Sequence, residues 1–128
     1  MLVAESYEGA RIPCARYLRR FNFDVTEAAS SEEAMMAMLA APPRLILAEW
    51  NLASTLARFS LWLAPGWKTS DIPVIVIVNE FEPERNLPRV AGVLTKPFSL
   101  TAMLEEVRRV LREHDHLLPP PVPRTPRT

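Results

Sequence analysis

The sequence predicts one α/β domain built on a doubly wound, five-stranded parallel sheet. Three observations carry this reading. Short strand-like runs recur at Leu2–Glu5, Val25–Ala28, Leu45–Ala48, Val74–Val78 and Val93–Thr95, and segments of helical spacing separate most of them. Strands alternating with helices imply parallel pairing through right-handed crossovers. The runs Leu45-Ile46-Leu47-Ala48 and Val74-Ile75-Val76-Ile77-Val78 are apolar at every position, as a strand covered on both faces requires. Three runs also stop at a charge. Leu2-Val3-Ala4 meets Glu5-Ser6, Leu45–Ala48 meets Glu49, and Val93-Leu94-Thr95 meets Lys96-Pro97. Sites in open α/β sheets gather at the carboxyl ends of the strands, so Glu5, Glu49 and Lys96 are expected on one rim.

In chain order, the first strand runs from Leu2 to Glu5. The next helix extends to about Phe21, with Ile12, Ala15, Leu18 and Phe21 along one face. Proline is tolerated only in the opening turns of a helix, so Pro13 predicts that this helix starts late or bends. Asn22-Phe23-Asp24 turns into the second strand. Ser30 and Glu33 form a capping box, opening a helix whose inner face is Ala34, Met35, Met38 and Leu39. Pro42-Pro43 ends it and launches the third strand. A third helix is expected over 55–63, stopped by Pro65-Gly66, and Asp71-Ile72-Pro73 leads into the fourth strand. Pro83 and Pro88 leave room for about one helical turn before the fifth strand. The last helix takes Ser99 as N-cap and buries Leu100, Met103, Leu104, Val107 and Leu111. It sets Glu105 against Arg109 as an i,i+4 pair.

Residues 1–113 are read as the domain and 114–128 as a Pro-rich, extended tail. Five of the 13 prolines fall in the last ten residues. The PxxP spacings at Pro120–Pro123 and Pro123–Pro126 fit a linker better than a ligand. With 15 basic and 15 acidic side chains, the chain gives no electrostatic reason to expect nucleic acid or an anionic membrane. It carries no apolar run of membrane-spanning length and no signal-peptide pattern. One cysteine cannot form an internal disulfide, so the cytoplasm is the default compartment. Cys14 reads as a small core hydrophobe rather than a reactive thiol. His114 and His116 read as tail residues, because a metal site would need a third partner. Trp50 follows the acid at the rim, where an aromatic can anchor a partner; Trp62 and Trp67 read as packing residues.

Three segments are more specific: Ile46-Leu47-Ala48-Glu49-Trp50-Asn51-Leu52, Asp71-Ile72-Pro73-Val74-Ile75-Val76 and Leu94-Thr95-Lys96-Pro97-Phe98-Ser99. Through them the chain resembles, from about Leu2 to Leu111, a response-regulator receiver domain of the chemotaxis-protein type. The resemblance implies a flavodoxin-like sheet of order 2-1-3-4-5, a cis Lys96-Pro97 bond and a place in two-component signal transduction. It also implies a fourth helix roughly one turn longer than residues 79–89 can supply.

The departures from that pattern fall on its chemistry. Receivers end the third strand with a phosphoacceptor Asp, where this chain has Glu49. They follow the first strand with an acidic pair that holds magnesium; here the pair is Glu5-Ser6. A hydroxyl residue at the end of the fourth strand is replaced by Val78, and the aromatic switch residue three before the lysine by Val93. Only Lys96 stands as the family has it. The chain's aspartates, Asp24, Asp71 and Asp115, precede strands or lie in the tail, so none can take the acceptor's place. Phosphoryl transfer is largely positioning and charge neutralisation around a divalent ion. Glu5 and Glu49 could hold magnesium only weakly, with Lys96 competing for the same charge.

The sequence therefore predicts a pseudo-receiver: a phosphorylation-independent protein-interaction module, not an enzyme, with no cofactor. Glu49 is expected to pair with Lys96, either as a plain ion pair or as a partial imitation of a phosphorylated aspartate. The expected docking face is the fourth-helix region, the fifth strand and the last helix. The partner is expected to be a protein of a signalling pathway, and a homodimer stays open. An alternative is a small-ligand sensor with a pocket beside the former acidic site, exposed by residues 79–89. Residual magnesium-dependent phosphotransfer ranks last.

Overall fold

Side chains that alternate along the strands sort the core into two layers. The computed structural model describes residues 1–60, 72–79 and 90–114. Five strands, β1 (Leu2–Ala4), β2 (Thr26–Ala28), β3 (Ile46–Glu49), β4 (Val74–Asn79) and β5 (Val90–Lys96), form one sheet of order β2-β1-β3-β4-β5. Every adjacent pair is parallel. The expected topology is the observed one. Among the described residues four helices cover the sheet: α1 (Glu8–Arg20), α2 (Ser31–Ala40), α3 (Trp50–Ser60) and α4 (Leu100–His114).

Val3, Leu45, Leu47, Ile75, Ile77 and Leu94 face α1 and α4, where they meet Ala15, Leu18, Met103, Leu104, Val107 and Val110. Leu2, Ala4, Ile46, Ala48, Val76 and Val78 face α2 and α3, meeting Ala34, Met38, Leu52 and Leu56. This is why the central strands are apolar at every position: both of their faces are covered.

Several local expectations change. Helix α1 starts at Glu8 and carries Pro13 inside it. The ring faces solvent, and the carbonyl deprived of its N–H partner belongs to Gly9, which is also exposed. Phe21 lies past the end of α1, and Leu39 points outward, so neither joins the inner face expected of it. Helix α3 begins at Trp50, directly after β3, rather than near Thr55. The Ser54 and Thr55 hydroxyls donate to the Asn51 carbonyl at 3.0 and 3.1 Å from within the helix. The stop at Pro65-Gly66, Trp62, Trp67, the fourth-helix region, His116 and the tail lie outside the described residues. Helix α4 itself runs through His114, one residue past the expected boundary.

The capping pair at α2 forms, with the return bond reaching one residue before the N-cap. Ser30 Oγ accepts from the Glu33 amide at 3.1 Å, and Glu33 returns a carboxylate oxygen to the Ala29 amide at 2.8 Å. Ser30→Ala is expected to cost about 1 kcal/mol, measured by urea denaturation, with an unchanged urea dependence of the unfolding free energy.

Helix α4 is tied to β5 by Arg109. The β4–β5 register shifts between Val74 and Ile75, leaving Ala91 as an extra residue in β5. Arg109 donates to the Ala91 carbonyl at 3.1 Å and pairs with Glu106 and Glu113. The expected partner, Glu105, is not used. Gly92 leaves room for this arrangement, since a Cβ there would stand 2.8 Å from the Glu106 carboxylate.

Candidate functional site

Strand parity brings the rim residues together. Glu5 continues the Val3 side of β1, Glu49 the Leu47 side of β3, and Lys96 the Leu94 side of β5. All three therefore belong to the α1/α4 side of the sheet at its carboxyl end. The chain leaves β1 and enters α1 within four residues, and it passes from β3 straight into α3. Both turns are tight, so the two carboxylates sit where the helices begin.

The lysine chooses Glu5, not Glu49. Lys96 Nζ donates to Glu5 Oε1 at 2.6 Å. Glu5 is buried, with 1 % of its surface exposed, whereas a third of the lysine side chain remains open to solvent. Glu49 instead accepts the Ser6 backbone N–H on Oε1 at 3.2 Å. The expected Glu49–Lys96 salt bridge is thus replaced by Glu5–Lys96. The physical reason is burial: Glu5 has no water to turn to, so the strongest available donor goes to it.

The other Glu5 oxygen, Oε2, is buried with no donor of the protein facing it. A proton resolves this. Burial, then the hydrogen bond to the Glu49 carboxylate, pushes the Glu5 pKa up to about 7, against the opposing pull of Lys96. Burial also opposes ionisation of Glu49, yet the hydrogen bonds from Glu5 and from Ser6 outweigh it and hold Glu49 below the ordinary carboxylate value. The two carboxyls behave as one acid pair that keeps a proton through the weakly acidic range. One ammonium then faces one negative charge.

Residues outside the original motif support the rim. Arg11 donates to the Glu5 carbonyl at 3.1 Å and reaches Glu27 at 3.3 Å, which pins the β1–α1 turn to β2. Arginine six positions after the acid carries no motif, and only the fold shows its role. Cys14 is buried in the α1/α4 core, and burial followed by the nearby Glu5 charge raises its thiol to about 11, as an inert core residue requires. Val78 is buried toward α2 and α3, and offers no hydroxyl to the rim. Val93 is 43 % exposed on β5. Trp50 is partly buried against the α2/α3 layer. His114 Nδ1 lies 3.0 Å from the Val110 carbonyl inside α4. The Lys96-Pro97 bond is cis, as expected.

The receiver resemblance implies a magnesium ion at this rim. The residues present do not fit it. One oxygen of Glu5 is taken by an ammonium at 2.6 Å, and the second acid of the pair is the neutral Ser6. A divalent ion would have to displace the lysine from Glu5. Among the described residues no group of three His, Cys, Asp or Glu side chains could hold a metal. A hollow of about 130 Å³ lies at the opposite end of the sheet beside Met1, Asp24 and Pro42. The pocket expected beside residues 79–89 lies outside the described residues. No helix among the described residues is long and apolar enough to cross a membrane.

Comparison with known proteins places this geometry. No family model and no curated protein matches the sequence. Solved structures do. The receiver domain of NtrX from Brucella abortus superposes with a TM-score of 0.74 at 18% identity, covering 87% of this chain and 97% of that one. A CheY-like response regulator receiver domain protein from Methanospirillum hungatei gives 0.71 at 14% identity, covering 90% and 95%. A response regulator receiver modulated diguanylate cyclase from Pelobacter carbinolicus gives 0.72 at 21%, covering 91% and 94%. Against longer NtrX structures the chain spans about a quarter of the length, 26% in one case. The chain has the receiver fold, and its structural neighbours are response-regulator receiver domains.

Proposed function

We propose that this chain is a receiver-type domain of two-component signalling in the cytoplasm that acts as a phosphorylation-independent protein-interaction module. The observation that carries the proposal is the internal pairing of the rim. Lys96 is held by buried Glu5, and Glu49, at the phosphoacceptor-equivalent position, is bonded to the Ser6 amide. A phosphoryl group would need a shorter acid at position 49, a metal, a free lysine and a hydroxyl at position 78. Each requirement meets a different side chain or a filled bond here. The module therefore has one state, and its docking surface is already formed.

The β5–α4 surface suits docking. Val93 and Thr95 are exposed on β5, and the Arg109 bond to the Ala91 carbonyl ties the neighbouring helix to the strand. A rigid surface loses little conformational entropy on binding. Magnesium with acetyl phosphate is expected to leave the melting temperature unchanged, because a ligand raises stability only by binding the native state. A rise of several degrees that requires both reagents would overturn the proposal.

A further inference from the structure

Helices α1 and α4 lie side by side on the same face of the sheet. Their arginines divide into two sets. Arg11, Arg19 and Arg109 are each paired with a glutamate. Arg16, Arg20, Arg108 and Arg112 are exposed, and among the described residues none of them meets an acid. The unpaired four are not scattered. Arg16 and Arg20 are four apart on α1, and Arg108 and Arg112 four apart on α4, so each pair lines one side of its helix. Phe21 joins the two lines: the Arg108 guanidinium sits 5.3 Å over its ring, and the ring packs 5.0 Å from Tyr17. Phe21 is still 38 % exposed.

Cations near a helix C-terminus are favoured by the helix dipole alone. That accounts for Arg20 and Arg112, which lie in last turns. It does not account for Arg16 or Arg108. An exposed aromatic capped by one guanidinium, on two adjacent helices that carry three further exposed arginines, has the composition of an interface centre, where arginine and aromatic side chains are enriched. Their planar forks match carboxylates.

We propose that the α1/α4 seam is a docking site for an acidic polypeptide segment of the partner, carrying carboxylates for the four arginines and an apolar side chain for Phe21. The proposal rests on the reading of the domain as an interaction module, and it adds the chemistry of what is bound. A polypeptide fits better than nucleic acid because the chain as a whole is neutral, with 15 charges of each sign, and lacks the extended positive field that steers polyanions.

The test uses the full chain, a fluorescein-labelled peptide of alternating Glu and Leu, and the same peptide with Gln for Glu. The Glu peptide is expected to bind, to weaken as salt is raised, and to shift amide resonances over 16–21 and 105–112. The Gln peptide is expected not to bind. The double variants Arg16→Glu/Arg20→Glu and Arg108→Glu/Arg112→Glu should each weaken binding about tenfold or more while melting as wild type. Absence of binding, wild-type affinity in both double variants, or equally tight binding of a DNA duplex would overturn the seam assignment. Any of these would leave phosphodonor independence standing, since that is read from melting temperature and mass.

Discussion

Lys96→Met is expected to destabilise the protein by about 2–3 kcal/mol at a pH above 7 and by about 1 kcal/mol near pH 5. The variant keeps the stem of the side chain and removes only the ammonium. Above pH 7 the buried Glu5 must then ionise without its 2.6 Å partner or take up a proton. Near pH 5 it already carries the proton, so only one hydrogen bond is lost. The figure lies below the cost of breaking a fully buried pair because a third of the lysine side chain is exposed. Urea denaturation of both proteins at the two pH values checks this. Equal losses at both would mean that Glu5 is ionised throughout.

The stability of the wild-type protein is expected to be greatest near pH 4.5 and to fall as the pH rises through 7. The sign follows from proton binding in the two states. Unfolded, Glu5 and Glu49 both titrate near the ordinary value of 4.5; folded, Glu5 titrates at about 7 and Glu49 below 4.5. Between 4.5 and 7 the folded protein binds more protons than the unfolded chain, so raising the pH costs stability, by up to about 3 kcal/mol over the window. Below 4.5 the depressed Glu49 reverses the sign, and stability is lost as the pH falls through its folded pKa. Glu5→Gln should abolish the fall between 4.5 and 7, because a carboxamide cannot ionise. Thermal melts of both proteins across this range check the prediction. A wild-type profile that rises toward pH 7 would contradict the shared proton.

Much of the fold could be read from residues. The central runs Leu45–Ala48 and Val74–Val78 are apolar throughout and bounded by Pro or a polar residue, and the 2-1-3-4-5 order followed from the resemblance carried by the segments at Glu49, Asp71 and Lys96. The capping box at Ser30 and Glu33 is a local pattern with a local outcome. Helix α3 was harder, because it starts at Trp50 with no loop after β3, and Ser54 and Thr55 bond backward to Asn51 inside the helix. Helix α1 does not start late at Pro13: it accommodates the proline at an exposed position, and Gly9, whose carbonyl loses its partner, is exposed as well. At the rim, strand parity places Glu5, Glu49 and Lys96 on one face. It does not say which carboxylate is the deeper, and that depth decides which one holds the lysine. The backbone bonds of Arg11 and Arg109 carry no sequence signal: Arg11 reaches the Glu5 carbonyl across the β1–α1 turn, and Arg109 reaches the Ala91 carbonyl only because β5 packs beside α4.

The most direct test of phosphorylation independence is intact-mass spectrometry after incubation with acetyl phosphate and magnesium, for wild type and Glu49→Gln. The account predicts no mass gain in either protein, because the rim offers no strand-end Asp and its lysine is already held by Glu5. A stoichiometric gain of one phosphoryl group in the wild type, absent from Glu49→Gln, would contradict it.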